Sequence, residues 1–177
     1  NILHLTKSAG EVASDLKVTE QALQKRLNKA LRKLHTHREA KIHPHKDDKI
    51  LTDWNGLMIA ALAKGAQVFN EPEYADAARS AVSFILKSMR AGDGRLLHRY
   101  RDGQAAISAN ADDYAFLIWA LLELYEATFE VSHLEAALAL NKDLIAYFWD
   151  DVGGGFYFTP DDGETLLIRR KEIYDGA

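Results

Sequence analysis

Two segments of the chain are apolar on nearly every side of a helix. They run from Thr52 to Phe69 and from Asp112 to Phe129, and the run YAFLIWALLELY in the second leaves almost no polar face. A helix that is hydrophobic all round is buried on most of its sides. The pattern therefore predicts two inner helices that other elements cover.

Each inner helix is followed by a segment whose apolar residues share one helical face. From Tyr74 to Met89 they keep the i, i+3, i+4, i+7 spacing, and Leu134 to Phe148 repeats this arrangement. Such one-sided patterns are typical of outer helices that face water. The Gly-rich segments GDGRLLHRYRDGQ and VGGGFYFTPDDGE come next, and they predict small hairpins or ordered loops.

The chain matches itself at a shift of 60 residues. Laying 53–103 over 113–163 without a gap brings ten identities into register, among them Asp53 on Asp113, and it pairs Trp54 with Tyr114. Repeated pairs of inner and outer helices are typical of an α/α toroid. An open solenoid of helix pairs has the same alternation, so the pattern alone leaves both architectures open.

Composition narrows the class of protein. The 177 residues are 47% hydrophobic and 27% charged, as in a soluble globular protein, and the net charge of -4 argues against a protein built as a whole to bind polyanions. The absence of cysteine excludes disulfides, thiolate zinc sites and thiol catalysis within this chain. No apolar run has the length that spans a bilayer and no signal pattern opens the chain, so we expect a cytoplasmic protein without membrane contact.

Four motifs carry a family resemblance. HPHKDDKILTDWNGLMIAALAK, ADDYAFLIWALLELYEATF, DDVGGGFYFT and RRKEIYDGA occur in this order between Lys41 and Ala177. Together they resemble the C-terminal region of the YyaL-type proteins, relatives of spermatogenesis-associated protein 20. The resemblance implies an all-α fold, a partial (α/α)6 toroid of the six-hairpin glycosidase-like kind with short β-hairpins in its connecting loops. It also implies a role in carbohydrate metabolism and a thioredoxin-like domain outside this chain, but it supplies no set of catalytic residues.

The same resemblance sets the expected domains and partners. We predict an N-terminal helical segment with a basic connector at 1–46, and two hairpin repeats with the start of a third at 47–177. The chain begins with Asn1 and stops where another segment starts, so we expect a piece of a larger protein. Its partners would be the remainder of the parent chain, including the thioredoxin-like domain, and a carbohydrate-like small molecule. A third of a ring leaves an apolar face uncovered, which predicts self-association or low stability.

Candidate site residues gather where the inner helices begin, because every inner helix of a toroid starts at the same rim. Glycosyl chemistry needs two carboxylates, and aromatic rings stack on sugar faces. The catalytic candidates are Asp48, Asp113 and Asp175; the ligand-binding candidates are Trp54, Asn55, Arg99, Tyr100, Asp112, Tyr114 and Tyr157.

Each of these residues also has a structural interpretation. An Asp at a helix start caps free N–H groups and suits the positive end of the helix dipole. We expect Asp53 or Thr52 to cap the first inner helix, and Asp48, Asn55 and Asp113 to face a ligand cleft. Arg99 would hold an anionic group or pair with Asp112 or Asp113.

Two patterns in the first 46 residues suggest other chemistry and are weak. Four histidines occur in the segment HTHREAKIHPH, but no fixed carboxylate accompanies them. We interpret the segment as a solvated linker and predict no metal and no cofactor. The segment GEVASDLKVTEQALQKRLNKALRKLHTHR imitates a helix-turn-helix with a leucine stripe and a basic face. The acidic remainder would repel a duplex, so nucleic acid is an unlikely partner, and packing of this helix on the toroid's exterior explains the same residues.

The sequence thus leads to one function and one alternative. The parent protein would bind or process a carbohydrate-like ligand in the mouth of the ring, or it would be a scaffold that has kept the toroid and lost catalysis. Carboxylates facing each other across a cleft would favour catalysis, and carboxylates used as caps or in salt bridges would favour a scaffold.

Overall fold

A computed structural model describes residues 6–171 of the chain, which divides into two compact units, the first ending at Asp47 and the second beginning at Asp48. The first unit contains α1 (Ala9–Asp15) and α2 (Glu20–Glu39). Ser8 caps α1, and the Thr19 hydroxyl accepts a hydrogen bond from the Ala22 N–H at 3.2 Å to cap α2. Short side chains with a hydroxyl are favoured at this position because they satisfy the free N–H groups of the first turn.

The second unit contains two helical hairpins. Its helices are α3 (Thr52–Phe69), α4 (Pro72–Ser88), α5 (Ala111–Thr128) and α6 (Val131–Phe148). The inner helices α3 and α5 pack against each other, α4 covers α3, and α6 covers α5. The predicted alternation of inner and outer helices is therefore confirmed, together with an all-α architecture that carries a small sheet.

Gly56 lies where the two inner helices come closest. A Cβ atom on Gly56 would lie 2.8 Å from the carbonyl carbon of Phe116 and 2.9 Å from the amide nitrogen of Leu117. These are backbone atoms of α5, and they leave no room for a side chain. The glycine in the first turns of α3 thus has a packing reason, which is the close approach of a second helix.

The three strands form one antiparallel sheet in the order β1-β2-β3. They are β1 (Ile50–Leu51), β2 (Leu97–Arg101) and β3 (Gln104–Ser108). The turn between β2 and β3 consists of Asp102 and Gly103, both with positive φ, as tight two-residue hairpin turns require. The first Gly-rich segment is thus a hairpin, whereas the second forms turns with one isolated bridge between Trp149 and Phe156.

The repeat has a spacing of 59 residues in its helices. The helix-ending residues Asn70 and Phe129 have left-handed φ values of 54° and 55°. The hairpins α3–α4 and α5–α6 begin 59 residues apart, at Thr52 and Ala111. After each outer helix, one backbone hydrogen bond closes the Gly-rich turn. The Leu97 N–H donates to the Met89 carbonyl and the Tyr157 N–H donates to the Phe148 carbonyl, and the second pair encloses one residue more than the first.

The gapless register of 60 residues therefore needs a correction of one residue within the helices. It pairs Trp54, which is 59% exposed, with Tyr114, which is 2% exposed, so these two residues do not occupy equivalent places. In the corrected register Asp53 corresponds to Asp112 and not to Asp113. The identities at the shift of 60 include chance matches, because helix positions one residue apart point in different directions.

None of the helices within residues 6–171 is both long enough and apolar enough to cross a membrane.

Candidate functional site: an aspartate–histidine cluster at the start of the inner helices

Asp113 lies at the centre of the polar contacts where the inner helices begin. Its side chain is fully buried, and its Oδ1 accepts a hydrogen bond from the Asp53 N–H at 3.0 Å. Its Oδ2 accepts from the Asn110 N–H at 2.8 Å, and the Nδ1 of His98 lies 3.0 Å from both carboxylate oxygens. One carboxylate therefore fastens the starts of α3 and α5 to strand β2.

The cap of α3 comes from the neighbouring helix. Its N-cap residue is Leu51, whose side chain cannot accept a hydrogen bond, and Asp113 supplies the missing acceptor. The expectation that Asp53 or Thr52 caps α3 is wrong. The Asp53 carboxylate accepts from the adjacent Trp54 N–H at 2.7 Å, and the Thr52 hydroxyl donates to the Leu97 carbonyl at 2.6 Å.

Burial dominates the acid–base behaviour of the two carboxyl groups at the start of α5. It raises the pKa of Asp113 to about 6, although the Asn110 N–H and His98 act in the opposite direction. Burial also raises the pKa of Asp112, and the nearby charge of Asp53 adds to this effect. Asp113 is consequently ionised above about pH 6 and becomes protonated under mildly acidic conditions.

His98 is the partner through which the buried carboxylate connects to the surface. Its side chain is 22% exposed, and Nδ1 faces Asp113. An ionised carboxylate only accepts hydrogen bonds, so the proton of a neutral imidazole is assigned to Nδ1. The Nε2 atom is then an acceptor, and no residue within 6–171 is recorded as its hydrogen-bond partner.

Asp53, His98 and Asp113 also offer one potential metal-ligand atom each, and these atoms lie within 4.8 Å of one another. A cation among them would have to displace the His98 N–H and the backbone N–H groups that point at Asp113. The donors therefore suit a hydrogen-bonded carboxylate–imidazole pair better than a metal centre.

Three other polar candidates from the sequence analysis lie outside this cluster. The side chain of Asp48 is 54% exposed, and its Oδ1 lies 3.1 Å from the Nε of Arg101. The Asn55 amide donates to the Leu51 carbonyl at 2.7 Å, so it secures the backbone before α3. The Nε of Arg99 is buried without a hydrogen-bond partner in the described part of the chain. The predicted pairing of Arg99 with Asp112 or Asp113 is wrong, because His98 holds that place.

Two of the candidate tyrosines contribute to the core. The Tyr114 ring lies 5.4 Å from that of Phe148, and its hydroxyl accepts from the Leu96 N–H at 3.2 Å. The Tyr100 ring meets the Phe84 ring edge-on at 5.0 Å. The structure thus corrects the expectation that these two rings stand at the rim for stacking on a sugar.

The other two aromatic candidates differ in exposure, since Trp54 is 59% exposed and Tyr157 is partly buried. Trp54 projects from the first turn of α3, one residue after the backbone N–H that Asp113 holds. The Tyr157 hydroxyl donates to Asp150 at 3.1 Å, and the Arg169 guanidinium covers the Tyr157 ring at 4.2 Å from its centre. Asp175 lies outside the described residues.

His98 was not among the predicted site residues, and its segment was expected to be a hairpin or an ordered loop. The structure places it on β2, where strand alternation puts it on the face opposite Arg99. Its contact with Asp113 bridges 15 residues, and the contact of Asp113 with Asp53 bridges 60 residues. No local spacing rule relates such residues.

The hairpins of the second unit define the class of protein as the six-hairpin glycosidase-like (α/α)6 toroids. Among solved structures, the chain is similar to the cellobiose 2-epimerase from Spirochaeta thermophila, with a TM-score of 0.56 and 17% identity over 62% of this chain and 28% of that chain. A D-mannose isomerase gives a TM-score of 0.59 with 15% identity, over 64% of this chain and 29% of that chain. A family 105 glycoside hydrolase from C. acetobutylicum gives 0.56 with 16% identity, over 88% and 49%. These likenesses show the fold.

No family model matches the chain. Spermatogenesis-associated protein 20 from Homo sapiens is 32% identical over 187 residues, which cover 100% of this chain and 24% of that protein. An uncharacterized protein from Caenorhabditis elegans is 32% identical over 186 residues, covering 100% of this chain and 25% of the relative. The chain is thus similar over its whole length to about a quarter of spermatogenesis-associated protein 20, which confirms the resemblance that the four motifs predicted.

Proposed function

We propose that this chain contributes part of the wall and rim of a ring that binds or processes a carbohydrate-like ligand in a longer protein. The observation that carries the proposal is the polar cluster at the start of the inner helices, where His98 reaches the surface with an unpartnered Nε2 among the described residues. A half-buried polar group held in one orientation is what a ligand site needs. The names of the structural neighbours, an epimerase, an isomerase and a glycoside hydrolase, support a sugar as the ligand.

Trp54 supplies the second part of the proposed site. It belongs to the same first turn of α3 whose backbone is held by Asp113, and its indole is largely exposed. Aromatic side chains with a few fixed polar groups are the usual lining of small-molecule sites. Trp54 would stack on the ligand while His98 bonds to one of its polar groups.

The outward side of α3 supports a ring wall. Leu57, Met58 and Val68 are exposed large apolar residues on this inner helix. Further hairpins of a closed ring would cover them, because contiguous apolar surface is rarely left open to water. The thioredoxin-like domain, the cytoplasmic location and the role in carbohydrate metabolism stay predictions from the resemblance.

The contacts of the four aspartates at this end of the inner helices indicate whether the site suits catalysis or only ligand recognition. Asp113 and Asp53 accept backbone N–H bonds, Asp112 accepts from the Asp113 N–H at 3.0 Å, and Asp48 lies beside Arg101. Within the described residues they are engaged in caps and ion pairs, which counts against catalysis by these four carboxylates. The proposal therefore gives this part of the chain a role in recognising the ligand, and a scaffold without any ligand is the alternative to be tested.

The experiment is a thermal-shift screen of the full-length protein against neutral, amino and acidic mono- and disaccharides. We expect at least one sugar to raise the melting temperature in a concentration-dependent manner, since a ligand that binds only the folded state stabilises it. Trp54→Ala should abolish that shift. Trp119→Ala is the matched control, because Trp119 is an exposed tryptophan nine residues into α5. If no sugar raises the melting temperature, or if both variants lose the shift equally, the proposal is wrong.

A further inference from the structure

We infer that His98 is a ligand-contacting residue whose Nε2 accepts a hydrogen bond from a hydroxyl group of the ligand, and that Asp113 is the positioning residue that makes Nε2 an acceptor. This inference rests on the proposed function and specifies which atom of the protein accepts a hydrogen bond from the ligand. It assigns the ligand one chemical property, a hydroxyl donor placed against the start of the inner helices.

The geometry fixes the orientation of the imidazole. Both oxygens of Asp113 lie 3.0 Å from Nδ1, so the ring is held by a carboxylate that is itself immobile. That carboxylate is buried and bound by the N–H groups of Asp53 and Asn110. Rotation of the His98 ring by half a turn would remove Nδ1 from Asp113 and leave the buried charge with one partner fewer, which is costly.

The charge of Asp113 determines whether Nε2 of His98 donates or accepts a hydrogen bond. An ionised carboxylate accepts a hydrogen bond from Nδ1–H, and in a neutral imidazole with its proton on Nδ1 the lone pair is on Nε2. Burial raises the pKa of Asp113 only to about 6, so the carboxylate is still ionised at neutral pH and becomes protonated under acidic conditions. The charged and titratable groups around the pair are Asp53 on α3 and Asp112 on α5. Protonation of Asp113 should therefore remove the acceptor at Nε2.

The other polar groups at this rim are less suited to contact a ligand. Asp113 has no exposed surface, and the Asn55 amide is directed to the Leu51 carbonyl. The exposed Asp48 is paired with Arg101. His98 combines a fixed orientation, partial exposure and an Nε2 atom that has no hydrogen-bond partner among the described residues.

The first measurement reads the tautomer of His98 by imidazole 15N NMR of the full-length protein at pH 8. We expect a protonated Nδ1 and an unprotonated Nε2. In Asp113→Asn the side-chain amide can donate to Nδ1, so the proton should move to Nε2. A protonated Nε2 in the unmodified protein would overturn the inference even if the variant failed to fold.

The second measurement is a double-mutant cycle with the sugar found in the thermal-shift screen and its monodeoxy analogues. For one hydroxyl position, removal should weaken binding to the unmodified protein about 10-fold and to His98→Ala less than about twofold, as expected for one hydrogen bond. His133→Asn is the control, because His133 is a buried histidine at the start of α6 whose Nδ1 lies 3.4 Å from the Thr128 hydroxyl. It should give the 10-fold effect of the unmodified protein.

The outcomes separate the two proposals. If a sugar binds but no deoxy position couples to His98, this inference is wrong and the proposed function stands. If no sugar binds at all, the proposed function fails and this inference fails with it. If Nε2 is protonated in Asp113→Asn and this variant still binds the sugar as tightly as the unmodified protein, Nε2 does not have to be an acceptor and the role given to Asp113 is wrong.

Discussion

The substitution Gly56→Ala tests the packing of the two inner helices directly. The added methyl group would lie 2.8 Å and 2.9 Å from backbone atoms of Phe116 and Leu117 and 3.0 Å from the Phe116 Cβ. Comfortable separations between carbon atoms are about 3.5–4.0 Å, so each contact is too short by more than about half an ångström. Because the contacted atoms belong mainly to the backbone of α5, the helices themselves must move apart.

Two opposing effects set the magnitude. Overpacking a well-packed core typically costs about 1–3 kcal/mol, and a clash with backbone belongs in the upper half of that range. Alanine is favoured over glycine within a helix by about 1 kcal/mol. The two together predict that Gly56→Ala lowers the free energy of unfolding by about 1–2 kcal/mol.

Gly65 provides the matched control in the same helix. A Cβ atom there would lie 3.3 Å and 3.7 Å from ring carbons of Tyr74, which is exposed and free to turn. Gly65→Ala should therefore keep most of the helix-propensity gain of about 1 kcal/mol. The two alanine variants should differ in unfolding free energy by about 2–3 kcal/mol.

The assay is equilibrium urea unfolding of both variants and the unmodified protein, followed by circular dichroism. A shift of the midpoint at constant slope reports a change in stability, whereas a changed slope reports a change in compactness or in two-state behaviour. If Gly56→Ala is as stable as Gly65→Ala, the inner helices do not approach as closely as described, and the packing argument fails.

Three further predictions concern the carboxylates. Asp113→Ala should lower the unfolding free energy by about 2–3 kcal/mol and Asp53→Ala by less, because Asp113 accepts from two backbone N–H groups and His98, whereas Asp53 accepts from its neighbour alone among residues 6–171. Urea unfolding that shows the reverse order would contradict the capping assignment. The pKa of Asp113 is raised from 3.8 to about 6, so its contribution to stability is present in full below pH 3.8 and is lost as the pH rises through about 6. Unfolding free energies of the unmodified protein minus those of Asp113→Asn should therefore decrease over this range, and a flat difference would refute the shift. Asp48→Asn should cost less than about 1 kcal/mol, since the Asp48 side chain is 54% exposed in its pairing with Arg101, and a larger loss in thermal unfolding would show a structural role.

The helices were largely predictable from the chain. The first inner helix was expected from Thr52 to Phe69 and is observed with these bounds, and the second begins at Ala111, one residue before its expected start. The hydrophobic period that identifies such helices is a property of neighbouring side chains, which explains its success. The four motifs extended this to the fold class, which the structural neighbours confirm.

The role of each polar residue was less predictable. Capping rules relate a side chain to N–H groups within three residues, and they favoured Asp53 for α3. The acceptor that α3 uses comes from Asp113, on another helix, and the partner of that carboxylate is His98 on a strand. The repeat also contains a shift of one residue, so the gapless register paired Asp53 with Asp113 although the helices place Asp112 at the equivalent position.

The sequence by itself determined which segments are helical, which of their faces are apolar and which residue types collect at the helix starts, because these depend on spacing within one segment. Only the tertiary structure decided that Asp113 is buried while Trp54 and His98 reach the surface. Burial, the pKa of a carboxyl group and the choice of a hydrogen-bond partner all depend on which distant segment packs against it. Asp53 and Asp113 are the same residue type at the starts of similar helices, yet their contacts differ. Asp53 accepts from the N–H of its neighbour, whereas Asp113 bonds to groups on α3 and β2 as well as at the start of α5.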